Sequence, residues 1–258
     1  MLAALACTAP AAASDPPDEA GEAALLAPPQ APSGAEQVED RDSNSQTYLL
    51  PDGTYETRVY GAPVNYLDPQ GAWRPIDESL EEGAGATLAN GANGFDVTLP
   101  PRLASDRLVM EIGDDWITSQ YLGAETGVVD LEGETAVYET HDGDTAFEFT
   151  GLPNGLKEDI QIADASQPNR FAFLLGASEG VVPTLEEDGS ITFNAADGEA
   201  VVTIPAPVMA DSAEPPTVSH AVHYELSQVS PETWRMVVVA DREWLDDPAR
   251  VFPARIDP

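Results

Sequence analysis

Apolar residues alternate with polar ones along most of this sequence, and this period of two constrains the fold more than any other feature. Phe147 and Phe149 flank Glu148, and a second run places Phe171 and Phe173 two positions apart. Side chains at every second position of an extended strand point to the same face, so the pattern predicts strands with one buried face. The same alternation occurs in Ile160 and Ile162, in Ile191 and Phe193, and in Trp234, Met236 and Val238.

Turn residues separate these alternating segments. The turn sequences include Pro51-Asp52-Gly53, Pro69-Gln70-Gly71, Asp142-Gly143, Glu187-Asp188-Gly189 and Ala196-Asp197-Gly198. Short strands at this spacing favour an all-β fold with antiparallel β-sandwich architecture, built as one extended or two adjacent sandwich lobes. Helical periodicity is nearly absent, and Asp77–Glu82 is the one segment for which we expect a short helical turn.

Composition divides the chain into four predicted segments. Residues 1–13 resemble the remnant of a signal peptide, since a short apolar run precedes Ala11-Ala12-Ala13. The other segments are a disordered acidic linker rich in Pro and Ala (14–45), a first β lobe (46–132) and a second β lobe (133–258). The chain is therefore expected to act outside the cell or at the envelope, with Cys7, the only cysteine, either removed or lipidated. No segment has the run of about 18 apolar residues that a membrane span requires.

Charge limits the classes of partner. The 258 residues contain 46 Asp and Glu but only 11 Lys and Arg, and Lys157 is the only lysine. Binding to nucleic acid needs clustered cations that neutralise phosphates, so we expect no nucleic-acid partner and no anionic membrane surface. No cofactor is predicted. The acidic turns at Asp142-Gly143-Asp144 and at residues 186–189 leave calcium open as an alternative to ordinary solvated turns.

Two motifs raise the question of catalysis. Residues 176–180 read G-x-S-x-G, with Ser178 at the position of a nucleophile. Pro183 and the β-branched residues before it cannot open the helix that such a nucleophile requires, so a loop between strands is favoured. His220 and His223 lie three apart in a predicted strand, where they would point to opposite faces and would not share a metal ion. A contact between Ser178 and His223 stays open.

The four tryptophans could stack on sugar rings if they are exposed, although aromatic residues in strands are more often part of the core. These residues are Trp73, Trp116, Trp234 and Trp244. The residues therefore predict no catalytic, cofactor-binding or metal site, and they predict that the chain is not an enzyme.

Several short segments of the sequence resemble those of a known protein family. They are Pro51–Tyr55, Val64–Tyr66, Trp73–Asp77, Asn154–Glu158, Asp188–Ile191, Ile204–Met209, Asp247–Pro253 and Ile256–Pro258. In wording and order they resemble the N-terminal region of large secreted actinobacterial proteins with DNRLRE domains or RHS (YD) repeats, some related to polymorphic toxins. The resemblance implies a noncatalytic extracellular scaffold or display module whose partners are downstream domains of the same or a split polypeptide. One alternative is a carbohydrate- or calcium-dependent binding module that acts on cell-wall glycans, and a second is a secreted hydrolase or lyase.

Overall fold

A computed structural model describes residues 33–258 of the chain. The predictions for residues 1–13, for Cys7 and for residues 14–32 lie outside the described residues. The described residues form two compact units, residues 33–74 and residues 75–258. The predicted lobe boundary at 132/133 falls inside the second unit, and the division into two lobes stays a prediction.

The unit of residues 33–74 contains a small antiparallel sheet. Its elements are β1 (Ala35–Glu36), a 3-10 turn (Val38–Asp40), β2 (Ser45–Leu49), β3 (Tyr55–Val59), β4 (Asn65–Leu67) and β5 (Trp73–Pro75). The first three strands pair in the order β1-β2-β3, and β4 pairs with β5. Among the described residues, β1 and the 3-10 turn lie inside the segment that composition assigned to the linker.

The unit of residues 75–258 is built almost wholly from strands. They are β6 (Leu80–Glu82), β7 (Leu88–Asn90), β8 (Asp96–Leu99), β9 (Leu108–Ile112), β10 (Asp115–Tyr121), β11 (Asp130–Glu132), β12 (Thr135–Glu139), β13 (Thr145–Leu152), β14 (Gly155–Ile162), β15 (Arg170–Ala177), β16 (Val182–Leu185), β17 (Ile191–Asn194), β18 (Ala200–Ile204), β19 (Val208–Ala210), β20 (Val218–Ser219), β21 (Val222–Ser230), β22 (Thr233–Ala240) and β23 (Ala254–Asp257). One short helix, α1 (Arg242–Leu245), follows β22.

Two large antiparallel sheets dominate this unit. The first has eight strands in the order β21-β22-β15-β10-β9-β8-β7-β6, and the second has seven in the order β11-β12-β13-β14-β23-β19-β20. Aromatic rings of the two sheets meet in the core. The ring centroids of Tyr121 on β10 and Phe147 on β13 lie 4.6 Å apart. Phe147 also meets Phe171 and Phe173 of β15 edge to face at 6.2 Å. Facing sheets joined by such a core form a β-sandwich.

The burial of the strands confirms the alternation predicted from the sequence. Strand β13 alternates between buried and half-buried side chains over its whole length, with Phe147 and Phe149 inward. The other alternating pairs are also buried, including Ile160 with Ile162 and Ile191 with Phe193. The turns also use glycine as predicted. Gly189 has a φ of +89°, a backbone conformation that residues with a side chain rarely adopt. The prediction of an all-β antiparallel sandwich is therefore confirmed.

The predicted helical turn at Asp77–Glu82 was wrong. Asp77 accepts a hydrogen bond from the Ser79 amide, and Leu80 then starts β6, which pairs with β7. The helix of the described chain is α1, whose N-terminus is capped by Asp241 through hydrogen bonds from the amides of Glu243 and Trp244. None of the helices in residues 33–258 is long and apolar enough to cross a membrane.

Candidate functional site

The G-x-S-x-G motif folds as a strand end and a turn. Ser178 follows β15, and its hydroxyl donates a hydrogen bond to Asp115 Oδ1 at 2.7 Å. Its amide and the carbonyl of Trp116 are also hydrogen bonded, at 3.0 Å. Gly180 then turns the chain with a φ of +87°, and β16 begins at Val182 without any helix. The hydroxyl thus ties β15 to β10, which agrees with the predicted loop between strands.

His223 lies far from Ser178. His223 on β21 is paired with Val239, which is itself paired with Arg170 at the start of β15. Ser178 lies just beyond the other end of β15, eight residues from Arg170. At about 3.3 Å per residue, roughly 26 Å separate the two positions along the strand. The structure does not bring Ser178 and His223 together.

The acidic turns use their carboxylates to fix their own backbones. Asp188 accepts hydrogen bonds from the amide and the hydroxyl of Ser190, and these bonds hold its pKa below the ordinary value. Asp142 is bound in the same way by the Thr140 hydroxyl at 2.6 Å, and its pKa is also lowered. Within residues 33–258, no three His, Cys, Asp or Glu side chains are grouped so that they could hold a metal ion. A calcium site stays an open prediction.

The tryptophans differ in their surroundings. Trp234 is 4% exposed and belongs to the core, as its strand pattern predicted. Trp244 is partly buried, and the Arg250 guanidinium lies over its ring at 4.8 Å from the centroid. Trp73 and Trp116 are half-buried.

A pocket lined by two carboxylates lies at one end of the seven-stranded sheet. It has a volume of about 230 Å³ and lies beside the segment between β18 and β19. Its polar lining comes from neighbouring strands, with Lys157 and Glu158 on β14 and Asp257 on β23. Its apolar lining comes from Leu152, Leu156, Pro205, Ala206, Val208 and Pro258.

Because side chains alternate between the two faces of a strand, Glu158 and Asp257 have different environments. Glu158 shares the inward face of β14 with Leu156 and Ile160, and it is 2% exposed. Lys157 points the other way, and its Nζ lies 2.6 Å from Asp159 Oδ2 and 3.3 Å from Asp257 Oδ2. The lysine charge is therefore shared between Asp159, which is itself buried, and Asp257, which is partly exposed.

Burial changes the proton affinity of the groups around this pocket. Desolvation raises the pKa of Glu158, and the nearby Asp159 raises it further. Desolvation also raises the pKa of Asp257, although Lys157 opposes the change. Tyr224 on β21 is buried near both carboxylates, and desolvation raises the pKa of its hydroxyl well above the ordinary value. Burial thus raises the pKa of both carboxyl groups, and Lys157 offsets part of the effect at Asp257.

Sequence reasoning missed this pocket. The signal available in the sequence was the position of Glu158. It lies two residues from both Leu156 and Ile160, so it takes an inward position in an otherwise apolar alternation. A carboxylate in such a place is unusual, because burying a charge is costly, and such groups cluster at functional sites.

Comparison with known proteins finds three curated relatives. The chain is 25% identical over 272 residues to the "tRNA nuclease WapA" of Bacillus subtilis (strain 168), covering 95% of this chain and 12% of that protein. It is 25% identical over 261 residues to the "tRNA(Glu)-specific nuclease WapA" of Bacillus subtilis subsp. natto, covering 93% and 11%. It is also 25% identical over 243 residues to the "tRNA3(Ser)-specific nuclease WapA" of Bacillus spizizenii, covering 86% and 10%. The chain thus spans only 10–12% of the length of these relatives.

No family model and no solved structure matches the chain. The matches correct three expectations from the sequence. The resemblance to actinobacterial DNRLRE and RHS-repeat proteins was wrong, because the relatives found are WapA tRNA nucleases. The noncatalytic scaffold role and the prediction that the chain is not an enzyme were wrong for the same reason. The secreted-hydrolase alternative agrees better with the names of these relatives.

Proposed function

We propose that this chain acts as part of a tRNA-cleaving nuclease. The observation that carries the proposal is the similarity to three proteins named as tRNA nucleases, which extends over 86–95% of the chain. The whole activity belongs to the proposal, since the chain spans a small share of those proteins. Action outside the cell, which the sequence suggested, is part of the same proposal.

Within the chain, the pocket of Glu158 and Asp257 is the place best suited to hydrolytic acid–base chemistry. Cleavage of RNA needs a base that removes the proton of the attacking 2′-hydroxyl and an acid that protonates the departing 5′-oxygen. Asp257 beside Lys157 supplies a carboxylate for the first task. Glu158, which lines the same pocket from the inward face of β14 and whose pKa burial raises, supplies the second. As the new bond to phosphorus forms and the old one breaks, Lys157 would stabilise the added negative charge.

Charge sets a condition on this function. A chain with a net charge of −35 repels the phosphates of tRNA, which is why the sequence predicted no nucleic-acid partner. That prediction is untested, and the names of the relatives weigh against it. If the chain acts on tRNA, salt should assist the encounter by screening repulsion, whereas salt weakens ordinary protein–nucleic-acid binding.

The test is cleavage of end-labelled tRNA by the purified chain, its E158Q variant and its D257N variant. We expect the chain to cleave tRNA and each variant to lose about 100-fold or more of the rate, the usual contribution of a general acid or base. The E187Q variant, changed in an exposed turn, is the matched control and should retain the rate. Intact tRNA after incubation with the purified chain, or E158Q cleaving as fast as E187Q, would overturn the assignment of the chemistry to this pocket.

A further inference from the structure

The outer face of the eight-stranded sheet carries a small hollow that the nuclease proposal does not use. It has a volume of about 100 Å³, and its lining comes from β10, β15, β22 and the segment before β9. The side chains around it are Arg107, Trp116, Thr118, Leu174, Glu232 and Thr233, and its floor includes Gly176.

The hollow exists because β15 has a glycine, Gly176, next to its last residue. Gly176 lies between Thr118 on β10 and Thr233 on β22 in the strand register. A Cβ at this position would lie 2.6 Å from Thr118 Oγ1 and 3.6 Å from Trp116 Cζ3. Any side chain would therefore fill the space that Trp116 borders. Gly in a strand interior often marks a place where another molecule approaches closely.

Two charged side chains at the rim of the hollow, Arg107 and Glu232, form no ion pair or hydrogen bond of their own with the described residues. Arg107 is exposed and makes no ion pair or side-chain hydrogen bond with any residue in the described part of the chain. In the same acidic protein, Arg170 and Arg250, for example, are each paired with a carboxylate. The Glu232 carboxylate, also exposed, has no hydrogen-bond donor among residues 33–258.

We propose that this hollow binds the ring of a neutral sugar. The indole of Trp116 offers an apolar surface on which the C–H face of a pyranose can pack. Arg107 donates hydrogen bonds, Glu232 accepts them, and the two threonine hydroxyls do both, which matches a ring bearing several hydroxyl groups. One cation and one carboxylate leave the rim neutral, and Glu232 together with the net charge of −35 disfavours a phosphate.

Calorimetric titration of the full chain with cellotriose, maltotriose and chitotriose tests the proposal, with adenosine monophosphate as the anionic comparison. We expect at least one oligosaccharide to bind, and W116A to weaken it at least about tenfold, as for an aromatic anchor. G176V should weaken it similarly by filling the hollow. E111Q is the matched control, because Glu111 is the cross-strand neighbour of Trp116 but does not line the hollow.

Three results would overturn the proposal: no oligosaccharide binds at millimolar concentration, W116A binds as well as E111Q, or the nucleotide binds in place of the sugars. W116A keeps the proposal testable if G176V does not fold, because Trp116 is only half-buried. The site is independent of the nuclease proposal. W116A should therefore cleave tRNA at the same rate as the unaltered chain, while E158Q should bind the oligosaccharide normally.

Discussion

Replacing Glu158 with Gln should change how the stability of the fold depends on pH. Glu158 is buried in the inward face of β14, and its pKa in the folded chain is raised above the ordinary value of 4.5. In the unfolded chain, the side chain loses its proton near that ordinary value. Folding therefore favours the protonated carboxyl, and glutamine reproduces its shape without the titration.

The direction follows from proton binding. Above the unfolded pKa and below the folded one, the folded chain holds one proton more than the unfolded chain, so the free energy of unfolding falls as pH rises. The stabilisation by protonated Glu158 is fully present below pH 4.5 and is lost as pH rises through the folded pKa. The limiting slope for one group is about 1.4 kcal/mol per pH unit. E158Q should remove up to this slope from the pH range above 5.

Urea unfolding followed by tryptophan fluorescence at several pH values measures this difference, because Trp234 is buried in the core. E187Q serves as the control, since it removes one negative charge from an exposed turn and leaves the pocket unchanged. E187Q should follow the pH dependence of the unaltered chain. Parallel stability curves for E158Q and the unaltered chain between pH 5 and pH 8 would refute the reasoning that burial raises the pKa of Glu158.

Three further predictions concern the fold. F147A should lower the free energy of unfolding by about 3–5 kcal/mol in urea titrations, since Phe147 joins the rings of both sheets. D241A should cost about 1 kcal/mol in the same titrations, since it removes the cap of α1; no change would mean that the cap is not needed. Sodium chloride should raise the melting temperature measured by circular dichroism, because it screens the repulsion of a net charge of −35. A falling temperature would show that the ion pairs matter more than the repulsion.

The strands could be predicted because their signal is local. The alternation in β13 is carried by neighbouring residues, and burial of one face fixes it without reference to the rest of the chain. The order of the strands has no such local signal. Strand β10 pairs with β15, which begins 49 residues after β10 ends, and both lie in a sheet that β11–β14 do not enter. Helix α1 was missed because its four residues are too few to show a helical period.

The candidate pocket could be predicted only in part. The inward position of Glu158 was visible in the alternation, but its partner Asp257 lies 99 positions later and reaches the pocket only because β23 pairs with β14. The Ser178 motif shows the opposite case. Its sequence matched a nucleophile motif, whereas in the fold the hydroxyl donates to Asp115, and His223 lies beside the opposite end of β15. Contacts between distant strands decided both outcomes.

The electrostatics of the pocket connect the fold to the proposed function. Lys157, the only lysine of the chain, is held between Asp159 and Asp257, so its charge is already balanced before any substrate arrives. Such a lysine can stabilise charge that develops during a reaction, but it offers little long-range attraction to a polyanion. Binding of tRNA would therefore depend on screening by salt or on basic surfaces elsewhere in the whole protein. A rate of tRNA cleavage that falls steeply with salt for the isolated chain would contradict this account, because it would require phosphate contacts that the described residues do not supply.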